Sequence, residues 1–329
     1  MRHSFIRAVL LTGFSATCIT SAMAQGGGAG NYPDKALRLI VPFPPGGGND
    51  ILARTVGHRL AEVVSQQVVV DNRGGAGGAL GATIAAQANP DGYTLFLGSV
   101  GNLAQTPALK AKLPYNPVRD FAPVALVATS SFILAVHPSV AAKSVQELIA
   151  LAKASPGKLN YASAGTGSSL HMAGELFKYA TGTDMLHVPY KGTGPAMADL
   201  VSGRVQLIFS TMPPALPQIK TSKLRALGVT TAKRATAAPD VPTIAESGVK
   251  GFNVANWQGI LAPAKTPLAL VKKMNQHTLA ALKLPGLSEA LAGQGLESAG
   301  GTPEAFGALI KSEIAKYTQV VKAAKITVD

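Results

Sequence analysis

The sequence predicts an α/β protein of two domains, each a mostly parallel sheet flanked by helices. Three observations carry that expectation. Short, nearly continuous apolar runs alternate with amphipathic stretches, the pattern of strands buried on both faces between helices. The 329 residues exceed one ordinary domain of roughly 150 residues. Glycine-rich or small polar segments recur directly after the apolar runs, where parallel sheets place their ligand loops.

Residues 1–24 have the three parts of an export signal. Arg2, His3 and Arg7 give a positive start, a mostly apolar run extends from Ile6 to Ile19, and Ala22-Met23-Ala24 supplies small residues for cleavage after Ala24. The run is too short to span a bilayer comfortably. No later stretch reaches 18 consecutive apolar residues. Residues 25–31, with Gly26-Gly27-Gly28-Ala29-Gly30, read as a flexible leader. Cys18, the single cysteine, falls inside the signal. Lipidation there is disfavoured, because Ser15-Ala16-Thr17 lacks the apolar residue expected upstream. The processed chain therefore has no disulfide, cysteine nucleophile or thiolate metal site.

Strands are expected at 37–43, 67–71, 93–98, 132–137, 159–163, 186–190, 205–210 and 224–230. Ser144-Val145-Gln146-Glu147 is a capping box ahead of an apolar face of Val145, Leu148, Ile149 and Ala152. Thr266-Pro267 and Thr302-Pro303-Glu304 each set a cap residue before a proline suited to a first helical turn. Phe306, Leu309, Ile310, Ile314 and Tyr317 form the apolar stripe of the last helix. Prolines 114, 117 and 123 and a soft region at 239–253 mark the crossings between domains. The expected plan is lobe 1 from 32–130 and 253–329, and lobe 2 from 131–252.

Composition narrows the function. With 47% apolar and 14% charged residues the chain builds a large core. Lys and Arg number 30 against 17 Asp and Glu, a formal +13. Removing the signal takes Arg2 and Arg7 and no acid, so +13 becomes +11. Aromatic residues are only 5% and the bases are scattered, so a nucleic-acid groove with stacking platforms is not expected. The charge favours anions and no more.

Four loops follow strands: 42–50, 73–78, 98–102 and 163–169. Glycine lets backbone approach a ligand, and a helix starting there offers free N–H groups and its positive dipole end. Nucleotide motifs fail: Gly46–Asp50 has no P-loop lysine, and Gly75–Leu80 and Gly165–Leu170 end in leucine where the dinucleotide fingerprint needs glycine. No two histidines of the processed chain have the spacing of a helical metal pair, and Gly-x-Ser-x-Gly does not occur. Ser168 or Ser169 with His171 is the one hydrolase-like grouping, and a triad within one loop is improbable. Asp50, Glu175 and Asp199 read as caps or ion-pair partners, with Asp50 also a ligand candidate. Trp257 is expected in the core or at the hinge. No catalytic residue, metal or cofactor is expected.

These segments resemble the Bug family, the extracytoplasmic solute-binding components of tripartite tricarboxylate transporters. The resemblance runs from about Tyr32 to the end. It is carried by Pro42-Phe43-Pro44-Pro45-Gly46-Gly47 with Asp50 and Ala53-Arg54, by Gly75-Ala76-Gly77-Gly78, and by Pro90-Asp91-Gly92-Tyr93-Thr94-Leu95. Further on it rests on Tyr161-Ala162-Ser163 with Gly165, Gly167-Ser168-Ser169 and His171, and on His187-Val188-Pro189-Tyr190-Lys191-Gly192. Pro195-Ala196 with Asp199-Leu200, and Leu261-Ala262-Pro263-Ala264, complete it.

The resemblance implies a two-lobed periplasmic binding protein of type II-like fold that closes on a small carboxylate between its lobes. The acid would be a di- or tricarboxylate, an aromatic acid or a related organic acid. By motif position, Phe43, Gly46, Gly47 and Asp50 would form one jaw. Ser163, Gly165, Thr166, Gly167 and Ser168 would form the other, near His171 and Tyr190. Gly98 and Asn102 stand in a loop that varies in the family, and Phe209 and Ser210 in a segment where Gln206 and Ser210 replace acids common there. The implied partners are the solute and the membrane subunits of the transporter, or a sensor receptor if the protein signals instead. The chain is expected to be a monomer with no nucleic-acid partner.

Overall fold

A computed structural model describes residues 31–110 and 112–327. The expected export signal, Cys18 and most of the leader lie outside the described residues. The chain runs β1 (Leu37–Val41), α1 (Gly48–Val64), β2 (Val68–Asn72), a 3-10 turn (Ala76–Gly78), α2 (Ala79–Ala86), β3 (Thr94–Ser99), a π-turn (Gly101–Gln105), α3 (Thr106–Leu109) and β4 (Phe121–Val136). It continues through α4 (Val145–Ala154), β5 (Asn160–Ser163), α5 (Ser169–Thr181), β6 (Leu186–Pro189), α6 (Thr193–Val201), β7 (Leu207–Thr211), α7 (Met212–Lys220) and β8 (Arg225–Val229). β9 (Ala255–Pro263), α8 (Leu268–Leu282), α9 (Leu287–Gly293), β10 (Glu297–Ser298) and α10 (Pro303–Ala324) complete it.

Each of the eight expected strands corresponds to an observed one. The sheet order is β2-β1-β3-β9-β4-β7-β5-β6, with β8 and β10 also paired to β4. The outer strands of each lobe pair in parallel, as β1 does with β2 and β3, and β5 with β6 and β7. The middle is antiparallel, because β4 and β9 run against their neighbours. The sheet is therefore mixed: two strands that cross between lobes must traverse in opposite directions.

β4 is 16 residues long and serves both lobes. Its residues from Phe121 to Ser131 pair with β9, and those from Phe132 to Val136 pair with β7. The sequence showed only the second half, because Pro123 argues against a strand. The ladder accommodates it with a register irregularity between Pro123 and Ala125. β9 escaped notice because Asn256, Gln258 and Gly259 interrupt its apolar run. Gly259 is required there: a methyl group on it would lie 2.3 Å from the Phe306 ring and 2.7 Å from Ala125 O.

Helices cover the sheet with apolar faces. α1 buries Leu52, Ala53, Val56 and Leu60 in a core shared with Leu39, Ile260 and Met274. A second core gathers Tyr161, Phe177, Phe209 and Leu207, and extends to Phe306, Ile310 and Tyr317 on α10. Trp257 belongs to it, edge-on to Phe306. Ser144 and Thr302 cap α4 and α10 as expected, accepting from Glu147 N and Ala305 N. Thr266 does not cap α8; Pro267 holds the N-cap position, with extended ψ 134. Where β4 passes from β9 to β7, polar side chains fasten the strands. Phe132 N donates to Thr230 Oγ1 at 3.0 Å, Thr230 N to Ser131 Oγ at 2.9 Å, and Asn256 Nδ2 to Ser130 Oγ at 3.0 Å.

Candidate functional site

Loops at the carboxyl ends of β1, β2 and β3 face loops following β5, β6 and β7. Contact between them is close. Gly77 adopts φ +66, and a methyl group on it would stand 2.5 Å from Thr166 O across the interface. A methyl on Gly48 would stand 2.5 Å from Thr211 Oγ1. Thr106 Oγ1 donates to Gly167 O at 2.8 Å. Glycine is thus the residue that lets the lobes meet. The space left is a cavity of about 10 Å³ lined by Phe43, Gly47, Asn49, Ser169, Thr193 and Thr211, among others. That is room for about one water molecule.

Four helix starts point at this cavity. Gly47 is the N-cap of α1, Ser168 of α5, Gly192 of α6 and Thr211 of α7. Ile51 N makes the first main-chain bond of α1, to Gly47 O, so the N–H groups of Gly48 and Asn49 precede the helical ladder. Together the helix starts create a positive, donor-rich environment suited to an anion.

The lobe 1 loop is held from behind. Asp50 is 4% exposed, and its carboxylate accepts from Gly46 N at 2.9 Å and Arg54 Nε at 3.0 Å. Burial raises its pKa, but Arg54 and the Gly46 N–H outweigh burial and leave it below the usual carboxylate range. Arg54 also reaches Asn72 Oδ1, and Asn72 Nδ2 donates to Phe43 O at 2.9 Å. Asp50 therefore shapes the loop.

The lobe 2 loop rests on a polar stack. Ser163 Oγ lies 2.6 Å from His187 Nε2 and accepts from Gly165 N at 3.0 Å. His171 Nδ1 accepts from Gly167 N at 3.3 Å, and its ring lies 4.0 Å from that of His187. Tyr161 stacks on His187 at 5.0 Å and donates to Glu175 Oε1 at 2.5 Å, which Lys178 Nζ also reaches at 3.0 Å. Burial, then the neighbouring His171, pushes His187 down to about 4, and burial lowers His171 as well. Both imidazoles are neutral near pH 7. Ser168 Oγ accepts from His171 N and caps α5, while the His171 ring turns to Gly167 and His187. The expected pair of Ser168 and His171 is thus joined through the His171 main chain, with the ring turned to other partners.

Of the expected site residues, Phe43 and Gly47 line the cavity. Gly46 lies at the exposed rim in a left-handed turn of φ +82. Ser163, Gly165, Thr166, Gly167, Ser168 and His171 build the loop opposite. Five others have partners outside the cavity lining or are closed on the main chain. Gly98 abuts Leu103 and Leu261, where a side chain would collide within β3's packing. Asn102 folds the π-turn, its Oδ1 accepting from Ser99 N at 3.0 Å. Phe209 packs 5.4 Å from Phe177 in the lobe 2 core. Tyr190 turns its hydroxyl to Asp199 Oδ2 at 2.8 Å; burial and Asp199 push it up to about 12. Ser210 Oγ donates to Thr211 O. Sequence reasoning missed Asn49, Thr193 and Thr211. Each sits at a helix start beside glycine or at a strand end, and that position was the available signal.

Residues 52–326 match the model of the tripartite tricarboxylate transporter family receptor. The chain belongs to this receptor family. Protein BugT of Bordetella pertussis is 37% identical over 304 residues, covering 92% of this chain and 93% of that one. A Rhodopseudomonas palustris protein solved with adipate superposes with TM-score 0.87 at 37% identity, over 90% of this chain and 99% of the other. MatC from the same organism, solved with bound malate, superposes with TM-score 0.85 at 33% identity, over 88% and 100%. The periplasmic binding protein BugD superposes with TM-score 0.87 at 34% identity, over 90% of this chain and 99% of the other, and the two-lobed architecture seen here is consistent with that fold. Among the described residues no helix is long and apolar enough to cross a membrane.

Proposed function

We propose that this receptor is exported with cleavage after Ala24, closes as a monomer on a small organic carboxylate, and delivers it to the membrane subunits of a tripartite tricarboxylate transporter. The carrying observation is the convergence of four helix starts on one interlobe cavity whose lining, among the described residues, includes no acidic side chain. A carboxylate is the group such a donor set stabilises. Relatives solved with adipate and malate support this chemistry. The lobes are residues 32–130 with 253–329, and 131–252, so the stretch of β4 from Ser130 to Phe132 and the start of β9 at Ala255 form the hinge.

The test is a thermal-shift screen of the processed chain against mono-, di- and tricarboxylates, aromatic acids, acidic amino acids and phosphate. A ligand at a hundred times its Kd adds about 2.7 kcal/mol to the folded state. For lobes of this size that raises Tm by roughly 5–10 °C. A response confined to acids supports the proposal; silence across them, with a response to an uncharged solute, overturns it.

A further inference from the structure

Three buried polar atoms at or beside the cavity have no protein partner: Asn49 Nδ2, Thr211 Oγ1 and Gln258 Oε1. Their residues are 7%, 4% and 0% exposed. Buried polar atoms are nearly always paired, so an unpaired donor at the wall of a cleft marks a place for a ligand atom. The fold aims the first two from opposite lobes. Asn49 stands in the first turn of α1, and Thr211 ends β7 with a hydroxyl that does not cap α7. Both line the interlobe cavity. Gln258, on β9, stands behind Asn49, with its Nε2 3.5 Å from Asn49 Oδ1. That contact engages the amide oxygen and leaves the Nδ2 donor for the cavity.

Among the described residues no charged side chain lines this cavity. Asp50 is engaged by Gly46 and Arg54, and Ser210 is closed on Thr211 O. A ligand ammonium would face the positive ends of four helices with no carboxylate to receive it. An oxygen acceptor would instead meet the Asn49 amide and the Thr211 hydroxyl.

We propose that Asn49 and Thr211, with Gln258 as the residue orienting Asn49, form a second subsite that reads an oxygen acceptor on the solute. The solutes are then amine-free acids carrying a second carboxylate or a hydroxyl, and α-amino acids are rejected. This inference rests on the carboxylate-receptor reading and narrows it.

The experiment is calorimetry on the full processed chain with acids matched in length. The sets are succinate, malate and aspartate; glutarate, 2-hydroxyglutarate and glutamate; and adipate, with butyrate and valerate as monoacids. At the best length, the diacid or hydroxy acid binds at least tenfold more tightly than the amino acid. Asn49→Ala and Thr211→Val each weaken the preferred diacid or hydroxy acid about tenfold more than a monoacid. The Tm of unliganded Thr211→Val stays at or above that of the parent, since the substitution removes an unpaired hydroxyl and no cap. An amino acid that binds as well as its diacid overturns the subsite, as does equal weakening of mono- and diacids by both variants. Either result leaves the carboxylate-receptor reading standing. Failure of every acid to bind, monoacids included, overturns both.

Discussion

The two jaws of the cleft reach the same end by different means. The lobe 1 jaw is made by backbone freedom: Gly46, Gly75, Gly77 and Gly78 all have positive φ, and Gly77 lets backbone meet backbone. The lobe 2 jaw also bends at Gly165 and Gly167, but its shape is maintained by side chains, the Ser163–His187 and Gly167–His171 contacts. The first jaw is therefore sensitive to added atoms and changes little in mild acid, because Arg54 and the Gly46 N–H keep Asp50 below the usual carboxylate range. The second is sensitive to protonation.

Substituting Gly77 should break the comparison most severely. In Gly77→Ala the new methyl meets the Thr166 carbonyl at 2.5 Å, a main-chain atom that cannot rotate away, at a φ of +66. We expect ligand affinity to fall at least about 100-fold, close to 3 kcal/mol, because the lobes no longer meet. Calorimetry, with small-angle scattering to read compaction on adding ligand, checks it; unchanged affinity would show that the contact is dispensable.

Acid should act on the other jaw. His187 is depressed to about 4, and His171 is also lowered, so the unfolded chain binds these protons before the folded one does. Their contribution to stability is complete above pH 6.5 and is lost as pH falls toward 4. Allowing for the partial exposure of His187, the loss is roughly 2 kcal/mol. The charged and titratable groups around the stack are Glu175, Lys178 and Tyr161, and Glu175 stays ionised over most of this range because Tyr161 and Lys178 outweigh its burial. Urea midpoints measured from pH 7 to 4 should fall for the parent and fall less for His187→Gln.

Ser163→Ala should cost about 1–3 kcal/mol, since it strands the buried Gly165 N–H and removes the partner of the half-buried His187 Nε2. Its denaturation midpoint should drop, and its ligand affinity should fall with it. Thr106→Val is the mildest change. It removes one hydrogen bond across the closed interface, worth about 1 kcal/mol, so the ligand dissociation rate should rise about fivefold with little change in unliganded stability.

Much of this architecture was legible. Apolar runs gave the outer strands because parallel strands buried on both faces write a continuous signal. The interior of the sheet was harder to read: β9 carries Asn256, Gln258 and Gly259, whose presence is explained only by Ser130, Asn49 and Phe306 arriving from elsewhere. The glycine loops could be found because a positive φ restricts residue choice. Side-chain direction could not. Phe209 turns into the lobe 2 core and Thr211 into the cavity, and nothing in their spacing distinguishes them. Arg54 engages Asp50 in an i,i+4 pair that the sequence contained but did not orient.

The place of β9 in the sheet has a consequence for synthesis and secretion. Lobe 1 cannot complete its ladder until Phe96 meets Leu261, roughly 165 residues further along, and such distant pairings form slowly. The strands of lobe 2 lie within one continuous stretch and can assemble earlier. A nascent chain thus spends most of its elongation with its first domain unfinished. For a protein proposed to be exported, that strand order keeps the first domain unfinished until β9 has been made.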